Sequence, residues 1–227
     1  MNIILSFLIS FTTCVQLDFD WVSFSMVKRS TTHGMVSRID ARVFYKPSGK
    51  MVTHFISPID MYVLNNSLGN VEIFNTKENT VVKSLDNRMG SRNTTFYYFL
   101  FGSSEDLGLS EAGFSLRESR IEDMMLVTEY TPPAAMGGLE KVELVSNGDH
   151  PVFMGYLDKD GKYLKKIYYY DYQMVRGVDF PMSITEIDFQ KNDSTITKTT
   201  FSDFRFNVPE DQEFADFKTP NTATLLE

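Results

Sequence analysis

From Arg38 to Lys46 the chain alternates, with Ile39, Ala41, Val43 and Tyr45 on one side and Asp40, Arg42 and Phe44 on the other. A period of two marks a β-strand with one face on a core. Pro47-Ser48-Gly49 supplies a turn, and Lys50 to Ile56 reads as the returning strand. The rhythm then repeats. Tyr62 to Leu64 and Val71 to Phe74 flank the turn residues Asn65 to Asn70, and Thr76 to Asn79 separates Phe74 from Val81-Val82. Upstream, Leu17, Phe19 and Trp21 share one phase while Phe24 and Met26 take the other. A bulge near Val22 would bring both sets to one face.

Phe96 to Phe101, FYYFLF, breaks the rhythm with a continuous apolar run. Thr94 or Thr95 could cap a short helix there and Gly102 could end it. Leu107, Leu109 and Ala112 continue the apolar theme, so residues 94–112 are expected to be short helices lying against the sheet. Phe114 to Glu118 and Met124 to Tyr130 form a further hairpin, followed by a Pro/Gly loop from Thr131 to Gly138. From Lys141 onward, segments rich in Val, Ile, Tyr, Phe and Thr alternate with turn signals about every ten residues, as in an all-β sandwich or barrel. Asp160-Gly161 is a two-residue hairpin signal. Gly177 and Pro181 bound a short link, and Lys191-Asn192-Asp193 turns the chain into a last long strand, Thr195 to Phe206. Beyond Pro209 the tail is polar, ordered through Phe214 and Phe217. The prediction is a mainly β protein: a strongly curved antiparallel sheet, an unclosed barrel, with short helices covering the concave face.

At 227 residues, with 42% hydrophobic and 14% aromatic content, the chain can bury a core and still line a cavity. One β domain over residues 17–227 is expected, because barrels of this size form single units. The formal net charge is -8, and the basic pairs Lys28-Arg29 and Lys165-Lys166 stand isolated. No basic stripe for nucleic acid is present, and an acidic surface is repelled by anionic headgroups, which suits a soluble shuttle. The apolar run Ile3 to Phe11 is too short to span a bilayer but has the length of a signal-peptide core. Residues 1–16 are therefore expected to be an export segment, although no Lys or Arg precedes the run and no A-x-A site follows it. The one cysteine, Cys14, sits in Phe11-Thr12-Thr13-Cys14, loosely like a bacterial lipoprotein signal. Phe11 and Thr13 depart from the Leu and the small residue usual there, so an inert Cys14 is favoured over a lipid anchor.

Signs of catalysis are sparse. His33, His54 and His150 lie in different turns or strands without metal-ligand spacing. Asp158, Asp160 and Gly161 resemble the start of a calcium loop, but Gly falls at the wrong place and Tyr169 stands where Glu is needed. No nucleophile elbow, P-loop or dinucleotide fingerprint occurs. The cluster Tyr168, Tyr169, Tyr170 and Tyr172 reads as strand formers on two faces. No enzyme, cofactor or metal is expected.

In their order, several segments resemble the LolA-like outer-membrane lipoprotein carriers. They are ARVFYKPSGKMVTHFISP, MYVLNNSLGNVEIFNTKENTVV, FYYFLFG, KVELV, LDKDGKYLKKIYY, DFPMSITEIDF and TKTTFSDFRFNVPEDQEF, covering roughly residues 19–217. The resemblance implies an unclosed β-barrel with helices over its mouth, holding acyl chains of lipoproteins or lipids in an apolar cavity in the periplasm. It also implies membrane-associated donor and acceptor proteins. Lys46 matches the family's Arg before Pro, which tethers the lid; Lys keeps the charge but not the forked donor geometry. Within this frame the cavity wall is assigned to Phe44, Phe55, Tyr62 and Phe74, and the lid to Phe96, Phe99 and Leu100. The competing reading is an envelope protein that uses the β domain for protein–protein or structural contacts. A cavity of several hundred cubic ångströms separates the two.

Overall fold

A computed structural model describes residues 19–101, 105–190 and 193–226. The export segment 1–16, Cys14, the helix-ending Gly102 and the turn at 191–192 lie outside the described residues. The strands are β1 (Val22–Thr32), β2 (Met35–Tyr45), β3 (Met51–Ser57), β4 (Met61–Asn65), β5 (Asn70–Asn75), β6 (Thr80–Leu85) and β7 (Ser115–Glu122). They continue with β8 (Met125–Thr131), β9 (Lys141–Asn147), β10 (His150–Leu157), β11 (Tyr163–Val175), β12 (Val178–Gln190), β13 (Asp193–Phe206) and β14 (Thr224–Leu226). Helices α1 (Thr95–Phe101) and α2 (Gln212–Ala215) complete the set.

All fourteen strands form one unclosed sheet, in the order β14-β6-β5-β4-β3-β2-β1-β13-β12-β11-β10-β9-β8-β7. Two meanders thus run outward from a central seam, where β1 pairs antiparallel with β13. Every pairing is antiparallel except that of β14, which lies parallel to β6. Turn chemistry follows the sequence. Gly161 has φ +74°, and the Asp158 side chain accepts hydrogen bonds from the backbone N–H of Asp160 and Lys162. Between β11 and β12 the link is only Arg176-Gly177, both at positive φ, and Pro181 lies inside β12 rather than before it.

The sheet curls around α1. Phe96 packs on Phe24 of β1 and Tyr45 of β2, with ring centroids 5.2 and 5.3 Å away. Phe99, one helical turn later, packs on Tyr169 of β11 and Phe180 of β12 at 5.5 and 5.8 Å. In a flat sheet β2 and β11 would stand about 19 Å apart; only a curled sheet lets side chains one turn apart reach both. Among the described residues of 94–112, no second helix follows α1. Residues 105–113 are a string of turns in which the Asp106 carboxylate accepts from Gly108 and Ser110 N–H, with Leu107 and Leu109 buried beneath. Gly108 sits at φ +80°, and a Cβ there would lie 2.3 Å from the Tyr98 ring, so the chain passes the helix too closely for any side chain.

The bulge belongs to β13, not to the start of β1. Between the pairs Ser23–Arg205 and Ser25–Ser202 the extra residue is on β13, where Asp203 takes φ +56°. Val22, Phe24 and Met26 run straight along the concave face. Trp21 instead turns to the convex face, where it joins a second, smaller core.

That second core is made by the C-terminus. After β13 the chain folds back over the convex face, setting Phe214 and Ala215 of α2 and then Phe217 on Phe44, Val52, Tyr62 and Leu64. Asp211, 2% exposed, anchors it. Its carboxylate accepts from the Ser23 hydroxyl at 2.5 Å and from Arg42, with Arg205 at 3.4 Å. Hydrogen bonds to a buried charge contribute about 1.5–3 kcal/mol each where they are broken. Asp211→Ala should therefore lower stability by about 2–3 kcal/mol in urea unfolding. A loss under about 0.5 kcal/mol would show that this anchor is dispensable.

Candidate functional site

Helix α1 covers only part of the concave face. Beside it lies a cavity of about 520 Å³. Its floor is built by strand parity: Phe24 and Met26 from β1, Val43 from β2, Ile184 from β12 and Phe201 from β13. Phe55 of β3 and Val63 of β4 form one side, and Phe96 and Met89 close the helix end.

The wall changes character along the central seam. Met26 stands opposite Phe201, the next inward pair is Lys28 with Thr199, and then comes Ser30 with Thr197. The Ser30 and Thr197 hydroxyls are 2.9 Å apart, as are those of Thr32 and Thr195 beyond them. Two further charged side chains line the cavity, Arg88 and Glu186. Arg88 is held by Asp86 at 2.7 Å, and its side-chain hydrogen bonds keep that carboxyl below the usual range. Glu186 is paired with Lys165 at 2.5 Å. Burial is the largest influence on Lys165 and disfavours its charge, but the hydrogen bond it donates to Glu186, with the nearby charges of Glu186 and Asp188, together leave the ammonium above its usual range. Lys28 has no carboxylate within 4.0 Å among the described residues.

Of the residues assigned to the wall, Phe55 lines this cavity, and of those assigned to the lid, Phe96 does. Phe44, Tyr62 and Phe74 do not, and their assignment is corrected. They share the opposite face, since Tyr62 pairs with His54 and with Phe74, while Phe55 pairs with Met61. There Tyr62 stacks on Phe217 at 3.8 Å, Phe74 lies 6.2 Å from the same ring, and Phe44 lies 6.2 Å from Phe214. The physical reason is parity: a side chain one position along a strand points the other way. Phe99 and Leu100 are corrected too. They are 1% and 0% exposed and sit in the main core rather than over the cavity. Lys46 meets Asp216 at 4.0 Å and the Trp21 ring at 5.9 Å, so it faces the C-terminal segment and not α1. Met89 and Lys28 were not foreseen as wall residues. The inward phase of Lys28, two and four residues after Met26 and Phe24, carried that signal.

The other candidates resolve as local structure. Each histidine pairs with one carboxylate in a separate place: His33 with Asp193, His54 with Asp60 and His150 with Asp179. Among the described residues no group of three or more His, Cys, Asp or Glu side chains could hold a metal ion. No described helix is long and apolar enough to cross a membrane. Tyr169 is buried toward the core while Tyr170 bonds Thr185 and carries Lys198 over its ring.

No protein-family profile and no curated protein sequence matches the chain. Solved structures do match its fold. A LolA superfamily protein from Nitrosomonas europaea superposes with a TM-score of 0.58 at 14% identity, covering 88% of this chain and 92% of that one. A putative outer membrane lipoprotein-sorting protein domain from Vibrio parahaemolyticus gives 0.57 at 15% identity, over 86% and 89% of the two chains. The chain has the fold of the LolA superfamily and of lipoprotein-sorting domains.

Core and cavity positions should respond differently to truncation. Phe99→Ala removes a ring packed on three aromatic neighbours and should cost about 3–5 kcal/mol. Phe55→Ala, on a wall already facing open space, should cost about 1 kcal/mol or less. Equal losses in urea unfolding would contradict this placement.

Proposed function

We propose that the protein is a carrier that shelters acyl chains in the cavity beside α1, shuttling lipid or lipid-modified protein across the periplasm between membrane-associated donor and acceptor proteins. The observation that carries this reading is an apolar cavity of about 520 Å³ in a sheet that would otherwise be filled by its own helix. It falls in the range of about 300–1,000 Å³ that small-molecule sites occupy. The shared fold with lipoprotein-sorting domains supports the same reading.

The mechanism needs no chemistry on the cargo. Each methylene moved from water into the cavity contributes about 0.8 kcal/mol. A palmitoyl-length chain then gains on the order of ten kcal/mol before the costs of ordering it. That suffices for tight but reversible capture. Phe24, Phe55, Val63 and Phe201 supply the contact surface. Phe96 fixes the depth of the cavity by closing its helix end. Strands rather than loops hold these side chains, so the cavity is preformed and release depends on the acceptor.

A fluorescent fatty-acyl probe should bind the purified protein, and native mass spectrometry after bacterial expression should find co-purified acyl lipid. Phe55→Asp, which sets a charge in the wall, should weaken probe binding at least tenfold while leaving the protein folded. Undiminished binding would sink the cavity assignment. No binding in the unmodified protein would favour an envelope protein that works through protein contacts.

A further inference from the structure

We infer that the cavity selects a single acyl chain carrying an anionic head group, with Lys28 as the residue that reads the charge. This rests on the carrier reading above and names its ligand class.

Size sets the number of chains. A methylene is close to a water molecule in size, about 30 Å³ in the liquid, so a sixteen-carbon chain fills about 480 Å³. The cavity of about 520 Å³ takes one such chain, whereas two or three would need about two or three times that space.

Polarity sets the orientation. Along β1 and β13 the inward residues pass from Phe24, Met26 and Phe201 to Lys28 and Thr199, and then to Ser30 and Thr197. Successive inward positions on a strand are about 6.8 Å apart. The wall therefore turns from hydrocarbon to ammonium and hydroxyl over one such step. An acyl chain laid with its end against Phe96 brings its head group to the Lys28–Thr199 pair.

Charge sets the head group. The ionic side chains that line the cavity are Lys28, Arg88 and Glu186. Arg88 is held by Asp86, and Glu186 by Lys165. Lys28 alone faces the cavity without a carboxylate among the described residues. A cation half-sheltered in an apolar wall gains from an anion it can hydrogen-bond. A carboxylate or a phosphate fits; a zwitterionic or uncharged head leaves the ammonium no better placed than in water.

The test is displacement of the uncharged apolar dye N-phenyl-1-naphthylamine from the full chain, at pH 8 and low salt. Palmitate and lysophosphatidylglycerol should displace it at least tenfold more effectively than methyl palmitate and lysophosphatidylcholine. Whether palmitate or lysophosphatidylglycerol wins distinguishes carboxylate from phosphate, and either supports the inference. With displacement referred to each variant's own dye affinity, Lys28→Met should lose the preference and Lys28→Arg should retain it. Equal displacement by charged and uncharged lipids, or a preference that survives in Lys28→Met, overturns the head-group inference and leaves the carrier standing. If the dye does not bind and no lipid binds in direct titration, both readings fall together.

Discussion

The buried carboxylate of Asp211 ties together the strands at the seam where the two halves of the sheet meet. Its partners come from β1 (Ser23), β2 (Arg42) and the end of β13 (Arg205), so one buried group ties three strands at the seam. A charge taken out of water is tolerable only when opposite charges and donors satisfy it, and here a hydroxyl and two guanidinium groups do so. The Asn207 side chain adds a second tie, accepting from the backbone N–H of Asp20 and Trp21 at 2.8 and 3.1 Å. Both ties close a loop of nearly the whole described chain, Ser23 and Asp211 being 188 positions apart. These ties fix the end of the β1–β13 ladder, the pairing that joins the two meanders and gives the concave face its central floor.

Much of this architecture was legible in the sequence because hairpins are local. Pro47-Ser48-Gly49 and Asp160-Gly161 declare their turns within a few residues, and the apolar run at 96–101 reads as a helix because Thr94 precedes it. The alternation in β2 separated the two faces, and Ile39, Ala41, Val43 and Tyr45 point to the cavity side, but the wall residue was chosen from the other set as Phe44. The error with Phe44, Tyr62 and Phe74 came from ranking residues by size instead of by phase. Those rings are large because a second apolar layer waits for them. Its other half, Phe214 and Phe217, arrives from the far end of the chain, and no local pattern announces which strands it will cover. The position of the bulge was hidden for the same reason: Asp203 takes its positive φ to keep register with a strand formed almost two hundred residues earlier.

The cavity owes its existence to a mismatch between the helix and the sheet. Seven residues of α1 fill the concave face from β2 to β12 at one end, with Phe96, Phe99 and Leu100 all buried. Among the described residues, nothing of comparable bulk follows over β1, β2 and β3 at the other end. The turns at 105–113 carry the chain away toward β7, and the space left behind keeps an apolar floor and a polar rim. Two cores, one on each face, stiffen the strands that frame this space. A preformed site then needs little ordering when occupied, which conserves the gain from burying a ligand.

The pairing of β1 with β13 also bears on how the protein is made. A chain synthesised from its N-terminus presents β1 early, yet one edge of β1 has no partner until residue 206 has left the ribosome. The β1–β6 meander can form meanwhile, but its open edge exposes free N–H and C=O groups beside an apolar face, the arrangement most prone to pair with a neighbouring chain. Non-local pairings of this kind slow folding. A polypeptide built this way spends its most vulnerable interval waiting for its own last long strand, and tolerates delay in synthesis less well than a sheet wound from consecutive hairpins.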